Sequence, residues 1–150
     1  MSEKQRTISQ PVSFSGKGLH TGKVTTATVL PSEPNTGIRF KRIDLDSKPI
    51  IPANPEYVVD TSRGTVIGIP GAFVSTIEHL MASLHALHVN NALIEVDGPE
   101  VPILNGSAKP FYDGIEKVGT TEQDAELEYL EIKEKTVYLE PERGVEIIAY

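Results

Sequence analysis

The stretch Ser75-Thr-Ile-Glu-His-Leu-Met-Ala-Ser-Leu-His-Ala-Leu-His-Val-Asn-Asn-Ala-Leu-Ile-Glu-Val-Asp97 decides how this chain folds. Ile77, Leu80, Met81, Leu84 and Leu87 recur at helical spacing, so residues 75–89 predict a helix with one apolar stripe. Asn90 and Asn91 end it. Residues 92–97 then read as a buried strand, and residues 98–106, bracketed by two glycines, as a loop. A second, shorter helix is expected over residues 107–118.

Toward the amino terminus the pattern changes to short strands. Residues 65–69 (TVIGI) form one, preceded by an irregular crossing in which Pro49, Pro52 and Pro55 interrupt any regular element. Residues 37–43 are strand-like and follow a turn cluster, Pro31-Ser-Glu-Pro-Asn-Thr-Gly37. Residues 23–30 (KVTTATVL) are rich in β-branched side chains, and residues 7–14 make a weaker strand broken by Pro11. Beyond residue 118, Thr120-Thr-Glu-Gln-Asp-Ala-Glu-Leu-Glu128 reads as a solvated connector, and residues 136–139 and 145–149 as a hairpin around Pro141-Glu-Arg-Gly144. The fold class expected is α+β, a small and mostly antiparallel sheet with two helices on one face. The divisions expected are a first domain over 1–120, an acidic connector over 121–129, and strands over 130–150 of a domain that the chain leaves incomplete.

Composition excludes several function classes. Hydrophobic residues make up 39% of 150 residues, enough for a packed core. There is no cysteine, which removes disulfides, thiolate ligands and thiol nucleophiles. The net charge of −7 is uneven: residues 1–120 carry 12 acidic and 11 basic groups, residues 121–150 carry 9 and 3. A nearly neutral body has no basic face for nucleic acid. The charged opening Met1-Ser-Glu-Lys-Gln-Arg-Thr7 has no apolar run behind it, and no segment has the length to span a bilayer. A cytoplasmic protein without stable membrane insertion is expected.

Candidate chemistry concentrates in three places. Ser15-Gly-Lys-Gly-Leu-His-Thr-Gly-Lys23 looks like a phosphate loop but fails its spacing, with five residues between Gly16 and Gly22 and Val24 after Lys23. It reads as a hairpin loop. Of the four histidines, His79 and His85 lie about 240° apart on a helix and cannot share a metal, while His85 and His88 make an exposed face. Glu78-His79 has two readings. Ser75-Thr-Ile-Glu78 fits a capping box, with Glu78 folded back on the helix start. Alternatively, an acid and a neutral imidazole at one helix start supply a general base and one metal ligand, the other ligands coming from elsewhere.

Four segments together carry a resemblance: Gly18-Leu-His-Thr-Gly22, Asp60-Thr-Ser-Arg-Gly-Thr65, Ser75-Thr-Ile-Glu-His-Leu80 and Val101-Pro-Ile-Leu-Asn-Gly-Ser107. In this order and spacing the chain resembles the amino-terminal half of UDP-3-O-acyl-N-acetylglucosamine deacetylases, zinc-dependent enzymes of lipid A biosynthesis. The resemblance implies two similar α+β domains, each a two-layer sandwich, with residues 130–150 opening the second. It implies hydrolysis of an acetamide with release of acetate, with Glu78 as general base and His79 as one of three protein ligands of a zinc ion. Leu19, His20, Ser62, Arg63 and Gly64 would line the substrate cleft. The remaining ligands, a His and an Asp, belong to the second domain, as do a second catalytic His and a substrate-contacting Lys. The 150 residues alone are therefore expected to be inactive, supplying half of a site. Partners implied are the UDP-sugar substrate, the rest of the polypeptide and, in some relatives, a fused dehydratase. The alternative is a non-catalytic binding or scaffold domain with the same fold. One departure is visible: Asn105 stands where the family has Asp.

Overall fold

A computed structural model describes residues 3–150. Twelve strands and two α-helices follow one another as β1 (Lys4–Ile8), β2 (Val12–Lys17), β3 (Val24–Pro31), β4 (Ile38–Arg42), β5 (Ile50–Pro52), β6 (Val58–Asp60), β7 (Val66–Ile69), β8 (Ala72–Ser75), α1 (Glu78–Ala86), β9 (Ala92–Val96), α2 (Lys109–Val118), β10 (Thr120–Glu126), β11 (Thr136–Glu140) and β12 (Val145–Ala149). The α+β expectation holds. The main sheet runs β2-β3-β9-β4-β5, antiparallel except for the β4–β9 pair.

Alternation along each strand assigns the two faces of this sheet. Phe14, Ala27 and Val96 lie in register, as do Val29, Ile94 and Phe40, and all six are buried. On the opposite face polar pairs lie beside the registered pair Leu30 and Leu93. Ser13 bonds Thr28 at 2.9 Å and Lys41 pairs with Glu95 at 2.8 Å. The apolar face is closed by α1 and α2, whose Leu80, Leu84, Phe111 and Ile115 join the same core. Phe14 and Phe111 meet edge to face at 4.9 Å, fixing α2 against β2. Gly114 allows this approach, since a Cβ there would fall 2.5 Å from the Phe14 ring.

Three smaller sheets surround this body. β6, β7 and β8 form an antiparallel sheet immediately before α1, β1 pairs with β10, and β11 pairs with β12. Arg42, buried at the end of β4, ties the first of these to the main sheet. It forks onto Asp44 at 2.8 Å and donates to the Phe73 carbonyl at 2.6 Å.

Several elements depart from expectation. Residues 120–126, read as solvated connector, form a strand, because β1 offers Lys4 and Arg6 opposite Glu126 and Glu122. The helix expected over 75–89 is shorter at both ends. Ser75 belongs to β8, and His88 takes φ 55° beyond the helix end, so it shares no helix face with His85. The proline-interrupted crossing contains β5 and β6. No helix among the described residues is long and apolar enough to cross a membrane.

Candidate active site

The start of α1 is built by a tight connection from β8. Ser75 is held on both sides of its backbone: its N–H donates to Pro99 O at 2.9 Å, and its carbonyl accepts the Val101 N–H at 3.1 Å. The chain then reverses at Thr76, whose φ of 58° is a left-handed value. For a β-branched residue that conformation costs on the order of 1–3 kcal/mol and persists only where neighbours enforce it. Here Thr76 is buried and its hydroxyl donates to Glu100 Oε1 at 3.0 Å.

This turn presents Glu78 and His79 in the first turn of α1, both partly buried. The capping box does not form. The Ser75 N–H is taken by Pro99, and Glu78 Oε2 instead accepts the Thr65 N–H at 3.0 Å. Glu78 is thus turned away from its own helix and toward the segment between β6 and β7.

That segment is shaped by a local turn and one glycine. Asp60 accepts the Ser62 hydroxyl at 2.6 Å and the Ser62 N–H at 3.0 Å, and these two bonds hold its carboxyl below the ordinary Asp range. Gly64 has φ 150°, and a Cβ there would fall 2.9 Å from Glu78 Oε1. The conformation is one that residues with a Cβ rarely adopt, and a Cβ would push the Glu78 carboxylate aside. On the other side of the same segment, His20 Nε2 lies 3.2 Å from the Arg63 carbonyl oxygen. A carbonyl only accepts, so Nε2 is the donor in this contact.

His20 is carried by the turn between β2 and β3, the hairpin loop expected for the glycine-rich stretch. Gly18 N–H donates to Lys23 O at 2.8 Å, and Gly22 N–H donates to Gly18 O at 3.1 Å. The tip is exposed, with Leu19 at 59% of its full accessibility. Its base is gripped from inside the protein. The Glu100 carboxylate, 0% exposed, accepts the His20 N–H at 2.9 Å, the Thr21 N–H at 2.8 Å and the Thr21 hydroxyl at 2.7 Å. Burial by itself pushes this carboxyl up. The His20, Thr21 and Thr76 donors outweigh burial and hold it below the ordinary Glu range.

The structure therefore brings His20, the Arg63 carbonyl, Gly64 and Glu78 to one place, with His79 next in the chain. Ser62 turns its hydroxyl to Asp60, and the exposed Arg63 guanidinium takes no hydrogen bond or ion pair among the described residues. Sequence reasoning missed Thr65 and Glu100. The signal for Glu100 was present: a lone acid between Pro99 and Val101-Pro-Ile-Leu104, an apolar run that has no use for an unpartnered charge. As for a metal, no three His, Cys, Asp or Glu side chains converge among the described residues. Beside Glu78, the His79 imidazole fits one position of a ligand set whose other members would come from outside these residues. Asn105 ties its own loop, its Oδ1 accepting the Ser107 N–H at 3.1 Å and hydroxyl at 2.9 Å. A recess of about 830 Å³ between β1, the end of α1 and β10 includes none of these residues.

Comparison with known proteins bears on this geometry. Residues 5–150 match the family described as UDP-3-O-acyl N-acetylglycosamine deacetylase. The chain is 47% identical over 145 residues to the bifunctional enzyme LpxC/FabZ of Bacteroides thetaiotaomicron, covering 97% of this chain and 32% of that protein. It is 48% identical over 132 residues to the UDP-3-O-acyl-N-acetylglucosamine deacetylase of Myxococcus xanthus, covering 88% and 42%. Against the enzyme of that name from Geobacter sp. it is 44% identical over 144 residues, covering 96% and 47%. The chain thus spans about a third to a half of the length of the relatives it matches.

Proposed function

The chain belongs to the UDP-3-O-acyl N-acetylglycosamine deacetylase family, and from that premise we propose that it supplies the general base and one metal ligand for acetamide hydrolysis on UDP-3-O-acyl-N-acetylglucosamine. One observation carries the reading: the segment 63–65 lies against the His20 ring on one side and the Glu78 carboxylate on the other. Two motifs far apart in sequence thereby meet at the helix start that bears His79.

The chemistry proposed follows from which oxygen of Glu78 is engaged. Oε2 is occupied by the Thr65 N–H, which fixes the carboxylate plane, while Oε1 takes no hydrogen bond among the described residues. Oε1 is the atom that would accept a proton from the attacking water. It would return that proton to the leaving nitrogen, so that water and amide become acetate and amine. His79 would hold zinc together with ligands from the rest of the protein. When bound, zinc would polarise the acetamide carbonyl and lower the pKa of bound water to about 7. Gly64 keeps the space over Oε1 open, and His20 borders the site across the Arg63 carbonyl. Leu19, Ser62 and the Arg63 side chain fit a surrounding role toward substrate.

We further read residues 1–120 as a first domain, extended by β10 where it pairs with β1, and 130–150 as the opening strands of a second, acting in the cytoplasm in lipid A synthesis. Relatives that are bifunctional support a polypeptide able to carry a second, fused activity, a dehydratase in our reading. The test uses the full-length protein. Wild type is expected to hold one zinc and release acetate, His79→Ala to lose both, and Glu78→Ala to keep the metal and lose roughly a hundredfold or more in kcat. The 150 residues alone are expected to show no turnover. A full-length wild type without zinc, or an unchanged His79→Ala, would sink the assignment in favour of a scaffold with this fold.

A further inference from the structure

Glu100 is the one carboxylate among the buried polar residues described, and no Lys or Arg pairs with it. Four donors surround it instead. Oε1 accepts the His20 N–H and the Thr76 hydroxyl, and Oε2 accepts the Thr21 N–H and the Thr21 hydroxyl. A carboxylate has about four lone-pair directions, so the group is filled. The fit leaves no slack: a Cβ on Gly18 would run into Oε2 and come within 2.5 Å of Thr21 Oγ1.

The two oxygens reach different parts of the site. Through His20 and Thr21 the carboxylate holds the loop that sets the His20 ring against the Arg63 carbonyl. Through Thr76 it holds the left-handed turn two residues before Glu78 and three before His79. The Glu100 backbone is anchored as well, its carbonyl accepting the Thr25 hydroxyl at 2.8 Å while Pro99 and Val101 bracket Ser75. A group that only accepts can gather donors from two loops without competing for a proton. We propose that Glu100 is a positioning residue that sets the His20 loop and the Glu78–His79 turn relative to one another. The proposal rests on the reading of Glu78, His79 and His20 as the active site.

Glu100→Gln is the isosteric probe in the full-length protein, since its amide nitrogen would face donors where an oxygen now accepts. Two readouts are compared with wild type. The first is kcat and KM for UDP-3-O-acyl-N-acetylglucosamine with zinc, per folded molecule below the melting temperature. The second is the ring resonances of His20 and His79, followed by NMR. Expected is a kcat lower by roughly tenfold to a hundredfold, as for groups displaced by about an ångström, with KM changed less. Both histidine rings should shift together. Thr21→Ala, at an exposed position and so tolerated by the fold, should move the His79 resonance and lower kcat in the same direction by less. If Glu100→Gln or Thr21→Ala moves His20 while His79 and kcat stay at wild-type values, the coupling is refuted although the deacetylase assignment survives. If wild type shows no turnover, the assignment fails, and joint movement of the two rings still decides the coupling.

Discussion

Two buried polar networks lie at opposite ends of β9, and they differ in kind. At its start, Asn91 accepts the Thr36 and Gly37 N–H groups at 3.0 and 2.9 Å and donates to Gln5 and Gln123, each at 2.8 Å. Gln5 passes on to Asn35 and the Glu126 carbonyl, and Gln123 to the Ser32 carbonyl. Past its end, Glu100 collects four donors and offers none. An amide has donors and acceptors in equal measure, so a cluster of amides closes on itself without charge. A carboxylate must be served by others. The neutral cluster locks the β1–β10 ribbon onto the sheet, a purely architectural task. The charged one aligns loops that carry the candidate chemistry.

The largest expected effect comes from breaking the neutral network. Asn91→Leu leaves two backbone N–H groups and the Gln123 carbonyl without their partner and takes one of two donors from the Gln5 carbonyl, at a cost of about 3 kcal/mol or more. Urea denaturation of the full-length protein reads this directly. Deacetylation per folded molecule should stay at the wild-type value. An activity loss as deep as that of Glu100→Gln would erase the distinction between architecture and alignment. Glu100→Gln itself should cost less stability, about 2 kcal/mol, because its oxygen keeps part of the set. Its larger consequence should be on kcat.

Acid separates the two networks further. The folded carboxyl of Glu100 lies below the ordinary Glu value near 4.3. A depressed folded pKa contributes stability that is fully present above the unfolded value and is lost as pH falls through the folded one. The stability gap between wild type and Glu100→Gln should therefore narrow as pH drops below about 4.3. The gap between wild type and Asn91→Leu, which involves no titrating side chain at residue 91, should not follow it. Melting curves at a series of acid pH values make the comparison. A Glu100 gap that is flat with pH would mean that hydrogen bonding does not hold the carboxylate ionised.

What the sequence made legible follows the same division between local and distant causes. The apolar stripe of α1, the β-branched run of β3 and the hairpin loop at 18–22 are short-range patterns, and they appear where the spacing put them. β10 was hidden because its partner is β1, more than a hundred residues away, and only that basic partner makes an acidic stretch a strand. β8 was hidden because Ser75 looked like a helix cap, whereas its N–H belongs to Pro99. The Glu78-His79 pair was visible in sequence, but its spacing alone favoured the helix cap over the catalytic reading. The Thr65 N–H, a tertiary contact, turns Glu78 away from the cap. Glu100 was legible only as a lone acid beside an apolar run, because its donors at residues 20, 21 and 76 are distant in sequence.

The smallest effect is expected at Asn105, a neutral acceptor in the exposed loop before α2. Its Oδ1 accepts a backbone N–H and a hydroxyl from Ser107, a miniature of the donor set around Glu100. The difference is water. Asn105 is exposed, so a carboxylate placed there would keep its hydration and need no buried donors to compensate it. Asn105→Asp should change stability by no more than about 0.5 kcal/mol and leave kcat within error of wild type. At residue 100 the corresponding exchange between amide and acid should matter in both respects, because no solvent reaches either oxygen there. Should Asn105→Asp shift the melting transition as far as Glu100→Gln does, burial would not be what makes one acceptor interchangeable and the other not.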